Sequence, residues 1–236
     1  MRQKYPSSII YLVMLSLLLL SIFPLSAFCI QKGTAEYDAG DHFNAGLLYE
    51  AYNRDYKNAI NEYSKAIQLN PKYVSAYVYR GGCYGKLGNY TKDIADQNIA
   101  IKIFPESARA LYERANAYFA VKKYDNAMAD YNKILNMKMG TLKSAGFVDR
   151  DWCIVYADLG YLYCRKGKYK DALSQLNQAV DYDPEYAPVY ETRANAFYHL
   201  KQYDNAWKDV HKFQSFGKDV SRDFLDKLKN DSGREE

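Results

Sequence analysis

From residue 75 to residue 215 the chain repeats one pattern of apolar, small and aromatic positions. Tyr77, Leu111, Tyr156 and Tyr190 each open a unit. The first two lie 34 residues apart and so do the last two; the middle interval is 45, which is 34 plus an 11-residue insertion. After each opener comes a small residue (Gly81, Ala115, Gly160, Ala194), then an aromatic (Tyr84, Tyr118, Tyr163, Phe197). A polar turn follows, then another tyrosine (Tyr90, Tyr124, Tyr169, Tyr203). The next slot holds Ala127, Ala172 or Ala206, but Asp93 in the first of these units. Pro105 and Pro184 close two units, where Met139 and Lys218 stand in the others.

Spacings of three and four place these residues on one face of a helix. Gly88 and Gly167 fall between the two runs of a unit, where a turn ends the first helix. Each unit is therefore predicted to be a helical hairpin. Small residues let its two helices approach, aromatics fill the groove between them, and proline stops the second helix.

A charged pairing accompanies the pattern. Arg80, Arg114 and Arg193 precede the small residue in three units, and Asp96, Asp130 and Asp209 follow 16 residues later. In the fourth unit both change together, to Leu159 and Gln175. Each Arg is expected to meet its Asp, across the hairpin or at the next interface. Partly exposed pairs of this kind set register and contribute only about 0–1 kcal/mol.

These slots resemble the tetratricopeptide repeat. Leu159, Gly160, Tyr163, Tyr169, Ala172, Ala179 and Pro184 follow its signature, whereas Asp93 and Gln97 depart where Ala and an aromatic are usual. Upstream, Tyr56, Ala59, Tyr63, Ala66 and Pro71 match the second helix of another repeat. Its first helix, near Phe43 to Tyr52, fits one residue out of step. The resemblance implies an all-α, right-handed superhelical solenoid of about five hairpins over residues 42–217. An insertion at 140–152 is read as a helix extension plus loop. Residues 218–236 supply an amphipathic capping helix and tail, covering the last apolar face.

The N-terminal 29 residues have another character. Arg2 and Lys4 precede a run from Ile9 to Leu25 that is apolar apart from Ser16, Ser21 and Pro24. A positive start, an apolar run and small residues describe a secretory signal, with cleavage after Ala27 or Cys29. An uncleaved anchor is a second reading, because the run nearly reaches the roughly 18 residues a spanning helix needs. Lipidation at Cys29 is a third, although Phe28 and Ser26 fit a lipobox poorly. Residues 30–41 read as a linker. The chain is thus expected outside the cytoplasm, periplasmic or secreted, or else held at the membrane.

Composition narrows the chemistry. Net charge is +4, from 32 basic and 28 acidic residues, interspersed and without a basic block, which disfavours nucleic acid. Cys153 and Cys164 lie 11 residues apart on one predicted helix, roughly 16 Å of rise, too far for a disulfide. His42, His199 and His211 share no ligand spacing with the cysteines, so neither metal nor cofactor is expected. No nucleophile elbow, phosphate loop or His-Glu metal helix occurs, so no catalytic residues are assigned.

The resemblance implies a protein-binding scaffold, with stacked first helices lining a concave groove. The groove slots carry Tyr79, Arg109, Tyr112, Asn116, Phe119, Tyr161, Arg165, Glu191, Asn195, Tyr198 and His199. Aromatics can anchor an apolar side chain, and Asn116 or Asn195 can hold a peptide backbone. The family's carboxylate clamp for chaperone tails is not expected. Tyr112 stands where its Lys belongs and Asp158 where an Asn belongs. The alternative role is a structural subunit of a cell-envelope assembly using outer faces, favoured if Phe147, Val148 and Trp152 are exposed together.

Overall fold

The structure, a computed structural model, describes residues 38–137 and 149–234. Helices dominate the described residues, and no strand occurs among them. They run as α1 (Ala39–Asn53), α2 (Tyr56–Leu69), α3 (Val74–Lys86), α4 (Tyr90–Ile103), α5 (Ala108–Ala120) and α6 (Tyr124–Leu135). After the undescribed stretch come α7 (Asp149–Arg165), α8 (Tyr169–Tyr182), α9 (Pro188–His199), α10 (Tyr203–Ser215) and α11 (Arg222–Ser232). Consecutive helices pair as five hairpins, α1/α2 to α9/α10, and the described residues from Ala39 onward pack as one unit. Residues 1–37, with the apolar run 9–25 and Cys29, lie outside the described residues, as do Phe147 and Val148.

Local sequence explains the breaks. Asp55, Asn89 and Ser107 cap α2, α4 and α5 by accepting from the backbone N–H of Asn58 (3.1 Å), Lys92 (3.2 Å) and Ala110 (3.3 Å). Asn70, Phe104 and Asp183 each precede a proline and leave the helix in extended backbone, since proline excludes the helical region from its predecessor. Gly88 (φ +77°) and Gly167 (φ +71°) make the intra-hairpin turn, while Lys122 (φ +61°) and Lys201 (φ +58°) hold the same left-handed slot with side chains.

The small residues set the distance between the paired helices. A Cβ on Gly46 would fall 2.4 Å from the Tyr63 ring, and one on Gly160 would fall 2.6 Å from Leu176. The register then carries the apolar slots into continuous clusters, such as Leu111, Ala115, Ala127, Tyr131 and Ile134. The last hairpin is closed by α11, whose Leu228 is fully buried with Ala194, Trp207 and Val210.

All three Arg–Asp pairs form across their own hairpin. Each guanidinium grips its carboxylate with two bonds: Arg80–Asp96 at 2.8 and 2.7 Å, Arg114–Asp130 at 2.8 and 2.6 Å, Arg193–Asp209 at 2.7 and 2.7 Å. A further contact goes back to the preceding hairpin. Arg80 Nη1 donates to Ser64 Oγ (3.1 Å), Arg114 Nη1 to Asn98 Oδ1 (2.6 Å) and Arg193 Nη1 to Asn177 Oδ1 (3.0 Å). The aspartates are only 5–7% exposed, which takes these pairs out of the weak, solvent-screened class expected from sequence.

The insertion departs from expectation at one residue. Trp152 belongs to the start of α7, which at 17 residues outruns the other first helices. It is buried and stacks on Tyr182 at 6.1 Å, so it is unavailable to an outer face. Among the described residues no helix is long and apolar enough to cross a membrane.

Candidate functional site

First helices of neighbouring hairpins approach one another, α3 with α5 and α7 with α9, while second helices stand farther apart. At those two junctions the array bends toward its first helices. Between α5 and α7 the backbones are less close, and long side chains fill the junction: Tyr131, Trp152, Leu159 and Leu162.

The middle of the first-helix face is aromatic and polar at once. Phe119 on α5 meets Tyr161 on α7 (5.6 Å) and Tyr124 (5.8 Å). Tyr161 is 38% exposed. Beside them the buried Tyr131 hydroxyl, from α6, donates to Asn116 Oδ1 (2.6 Å) and Asp158 Oδ2 (3.2 Å). Asn116 also hydrogen-bonds the Tyr112 hydroxyl, whose half-buried ring lies 6.2 Å from Tyr131. Burial pushes the Tyr112 phenol up to about 12, against the hydrogen bond from Asn116. It pushes the Asp158 carboxyl up to about 6, against the Tyr131 hydrogen bond.

The remaining expected positions divide. Tyr79 is half-buried on Phe43 (5.4 Å) and Tyr63 (6.0 Å), at one wall of an open hollow of about 400 Å³ with Leu47, Glu50, Ala51, Arg54 and Tyr56. Arg109 is exposed but bound to Glu113 at 2.8 Å. Arg165 and Glu191 are exposed, Asn195 half-exposed. Tyr198 is taken up by the cap: its hydroxyl donates to Asp231 (2.6 Å) and its ring meets Phe224 (5.6 Å). His199 stacks on Tyr169 at 4.3 Å. Tyr112, Asn116, Phe119 and Tyr161 thus come together, Arg165, Glu191 and Asn195 stay open beside them, and Tyr79 and Tyr198 serve the two ends. Sequence reasoning missed Asp158 as a groove residue. Its slot, two before the small residue, was weighed only against the clamp.

Cys83 and Cys164 are thiols, pushed up to about 12 and about 11 by burial, with Glu50 adding to the shift at Cys83. No group of His, Cys, Asp and Glu among the described residues could hold a metal ion.

Comparison with known proteins agrees with the geometry. Residues 54–88 and 160–206 match a "TPR repeat" profile, and residues 97–140 a "Tetratricopeptide repeat" profile. Hsp70-Hsp90 organizing protein 2 of Arabidopsis thaliana is 36% identical over 78 residues, which cover 33% of this chain and 14% of that protein. Human serine/threonine-protein phosphatase 5 is 32% identical over 100 residues, 42% of this chain and 18% of the phosphatase. The chain thus spans under a fifth of either protein. Among solved structures, MamA superposes with a TM-score of 0.62 at 18% identity, over 84% of this chain and 96% of MamA. PilW, a type IV pilus biogenesis factor, reaches 0.68 at 19% identity, over 85% and 89%. At that identity the likeness is one of fold.

Proposed function

The chain belongs to the tetratricopeptide repeat family, and we propose that it is a non-catalytic scaffold that binds an extended segment of a protein partner in its concave groove. The observation that carries this reading is the face shared by α5 and α7. Phe119 and Tyr161 present ring surface across the junction while the core beneath is already closed by Tyr131, Leu159 and Leu162. Solvent-facing aromatics over a rigid base fit an anchoring surface for a partner side chain. Asn195, half-exposed on α9, adds donor and acceptor for a backbone; Asn116 already spends its amide on Tyr131 and Tyr112.

The proposed location, outside the cytoplasm or at its membrane, follows from Arg2, Lys4 and the apolar run 9–25. A second reading, a subunit of an envelope assembly joined by outer faces, draws on Ile99, 39% exposed in the second helix α4. Photo-crosslinking separates the two. A photoreactive residue at Tyr161 is expected to capture the partner in cells, and one at Ile99 is not. Capture from Ile99 with none from Tyr161 would reject the groove.

A further inference from the structure

The floor of the groove holds more acceptors than donors. Tyr131 has one hydroxyl hydrogen, shared between Asn116 at 2.6 Å and Asp158 at 3.2 Å, so the nearer acceptor dominates. A carboxylate can accept about four hydrogen bonds. Asp158 receives part of one, and no Lys or Arg pairs with it among the described residues. The contrast lies in the same molecule: Asp96, Asp130 and Asp209, also poorly exposed, each accept two bonds from an arginine.

The next first helix extends the same charge. Glu191 and Asn195 stand four residues apart on α9, hence on one face, and Glu191 makes no ion pair among the described residues. Two arginines share this face, and neither pairs with Asp158 among the described residues. Arg109 is neutralised by Glu113 at 2.8 Å. Arg165 lies seven residues beyond Asp158, about 10 Å further along α7.

Resting on the groove reading above, we propose that the centre of the groove recognises a lysine or arginine of the partner segment, its cationic head pairing with Asp158 and flanked by Glu191. Tyr112, Phe119 and Tyr161 then cover the aliphatic stem and offer ring faces to the cation. The bound cation supplies the donors that Asp158 lacks. The partner is thereby basic at this position, opposite in sign to the acidic tails that a carboxylate clamp takes.

A displayed random octapeptide library, selected on the folded repeat protein, tests this. Wild type is expected to enrich Lys or Arg several-fold over the input at one position. Asp158→Asn keeps an acceptor for Tyr131 and should erase that preference; Asp158→Lys should turn it toward Asp and Glu. A basic peptide from the wild-type selection should bind Asp158→Asn at least about tenfold more weakly, since charged hydrogen bonds are the strong ones. The exposed Glu191→Gln, which disturbs no core, should weaken it about two- to threefold. Enrichment without basic bias, or a bias that survives Asp158→Asn, overturns the inference and leaves the groove standing. Failure to enrich any sequence overturns both.

Discussion

The second and third hairpins fill the same two core slots with opposite chemistry. In α6 they hold Ala127 and Tyr131, both buried in the apolar cluster, with the Tyr131 hydroxyl reaching the groove. In α4 they hold Asp93 and Gln97, equally buried. The polar pair fits because the facing helix gives way. A Cβ on Gly85 would lie 2.6 Å from the Asp93 carboxylate, and one on Gly81 would lie 2.5 Å from the Gln97 amide. In α5 the matching slots hold Phe119 and Ala115. Gln97 Nε2 donates to the Val78 carbonyl (3.1 Å) and to Asp93 (3.0 Å), leaving its Oε1 buried without a partner. One repeat geometry thus accepts a polar core only when glycines opposite it make room.

Moving the polar pair is the harshest test. Ala127→Asp with Tyr131→Gln places a carboxylate against Ala115 and Phe119, where no glycine yields. Loss of the tyrosine ring and burial of an unpaired charge together should cost more than about 5 kcal/mol, enough to unfold a typical domain. Urea denaturation followed by circular dichroism should show the third hairpin melting without denaturant. A fully folded double variant would mean the glycines are incidental.

The Arg–Asp pairs, common to both hairpins, come next in size. Arg114→Leu strands Asp130, and the loss should be about 3–5 kcal/mol. The fourth hairpin already carries Leu159, 1% exposed, with Gln175 in place of such a pair. Arg114→Leu with Asp130→Gln should therefore regain most of the lost stability. A double variant as unstable as the single one would show that the arginine acts mainly through Asn98 in the preceding hairpin.

How much of this was legible beforehand follows from which contacts repeat. Hairpin spacing and the Arg–Asp pairing recur in several copies and could be read off directly. The third contact of each arginine could not: Ser64, Asn98 and Asn177 differ in type and belong to the preceding unit. Trp152 sits in the insertion, where the register that would have marked it as buried is broken. In the groove, Asn116 looked free because the hydroxyls that occupy its amide come from Tyr131, 15 residues on, and from Tyr112. Periodicity reveals faces; it does not reveal which polar atoms on a face are already spent.

A pH series sharpens the contrast between the two cores. Burial pushes Asp93 from 3.8 up to about 7, with Glu113 and Asp96 adding repulsion and the Gln97 hydrogen bond opposing. A carboxyl raised on folding favours the folded state in its protonated form. The contribution of Asp93 to stability is therefore greatest at or below about pH 4 and is lost as pH climbs toward 7. Asp93→Asn removes the ionisation and should stabilise by about 2–4 kcal/mol above pH 7, the gain vanishing near pH 4. Equal gains at both pH values would show that Asp93 is not the titrating group.

The smallest effect lies in the turns. The second hairpin turns on Gly88 and the third on Lys122, both with positive φ, +77° and +61°. A side chain in that region costs roughly 1 kcal/mol, because Cβ crowds the following carbonyl. Lys122→Gly should therefore stabilise, reduced somewhat by the extra freedom glycine gives the unfolded chain, for a net gain of about 0.5 kcal/mol. Gly88→Lys should lose a similar amount, about 0.5 kcal/mol, although open space surrounds the Gly88 Cβ position. Because neither change touches the core, their urea midpoints isolate backbone strain from packing. If both substitutions move stability in the same direction, the two turns are not equivalent, and the difference between the hairpins reaches beyond their interiors.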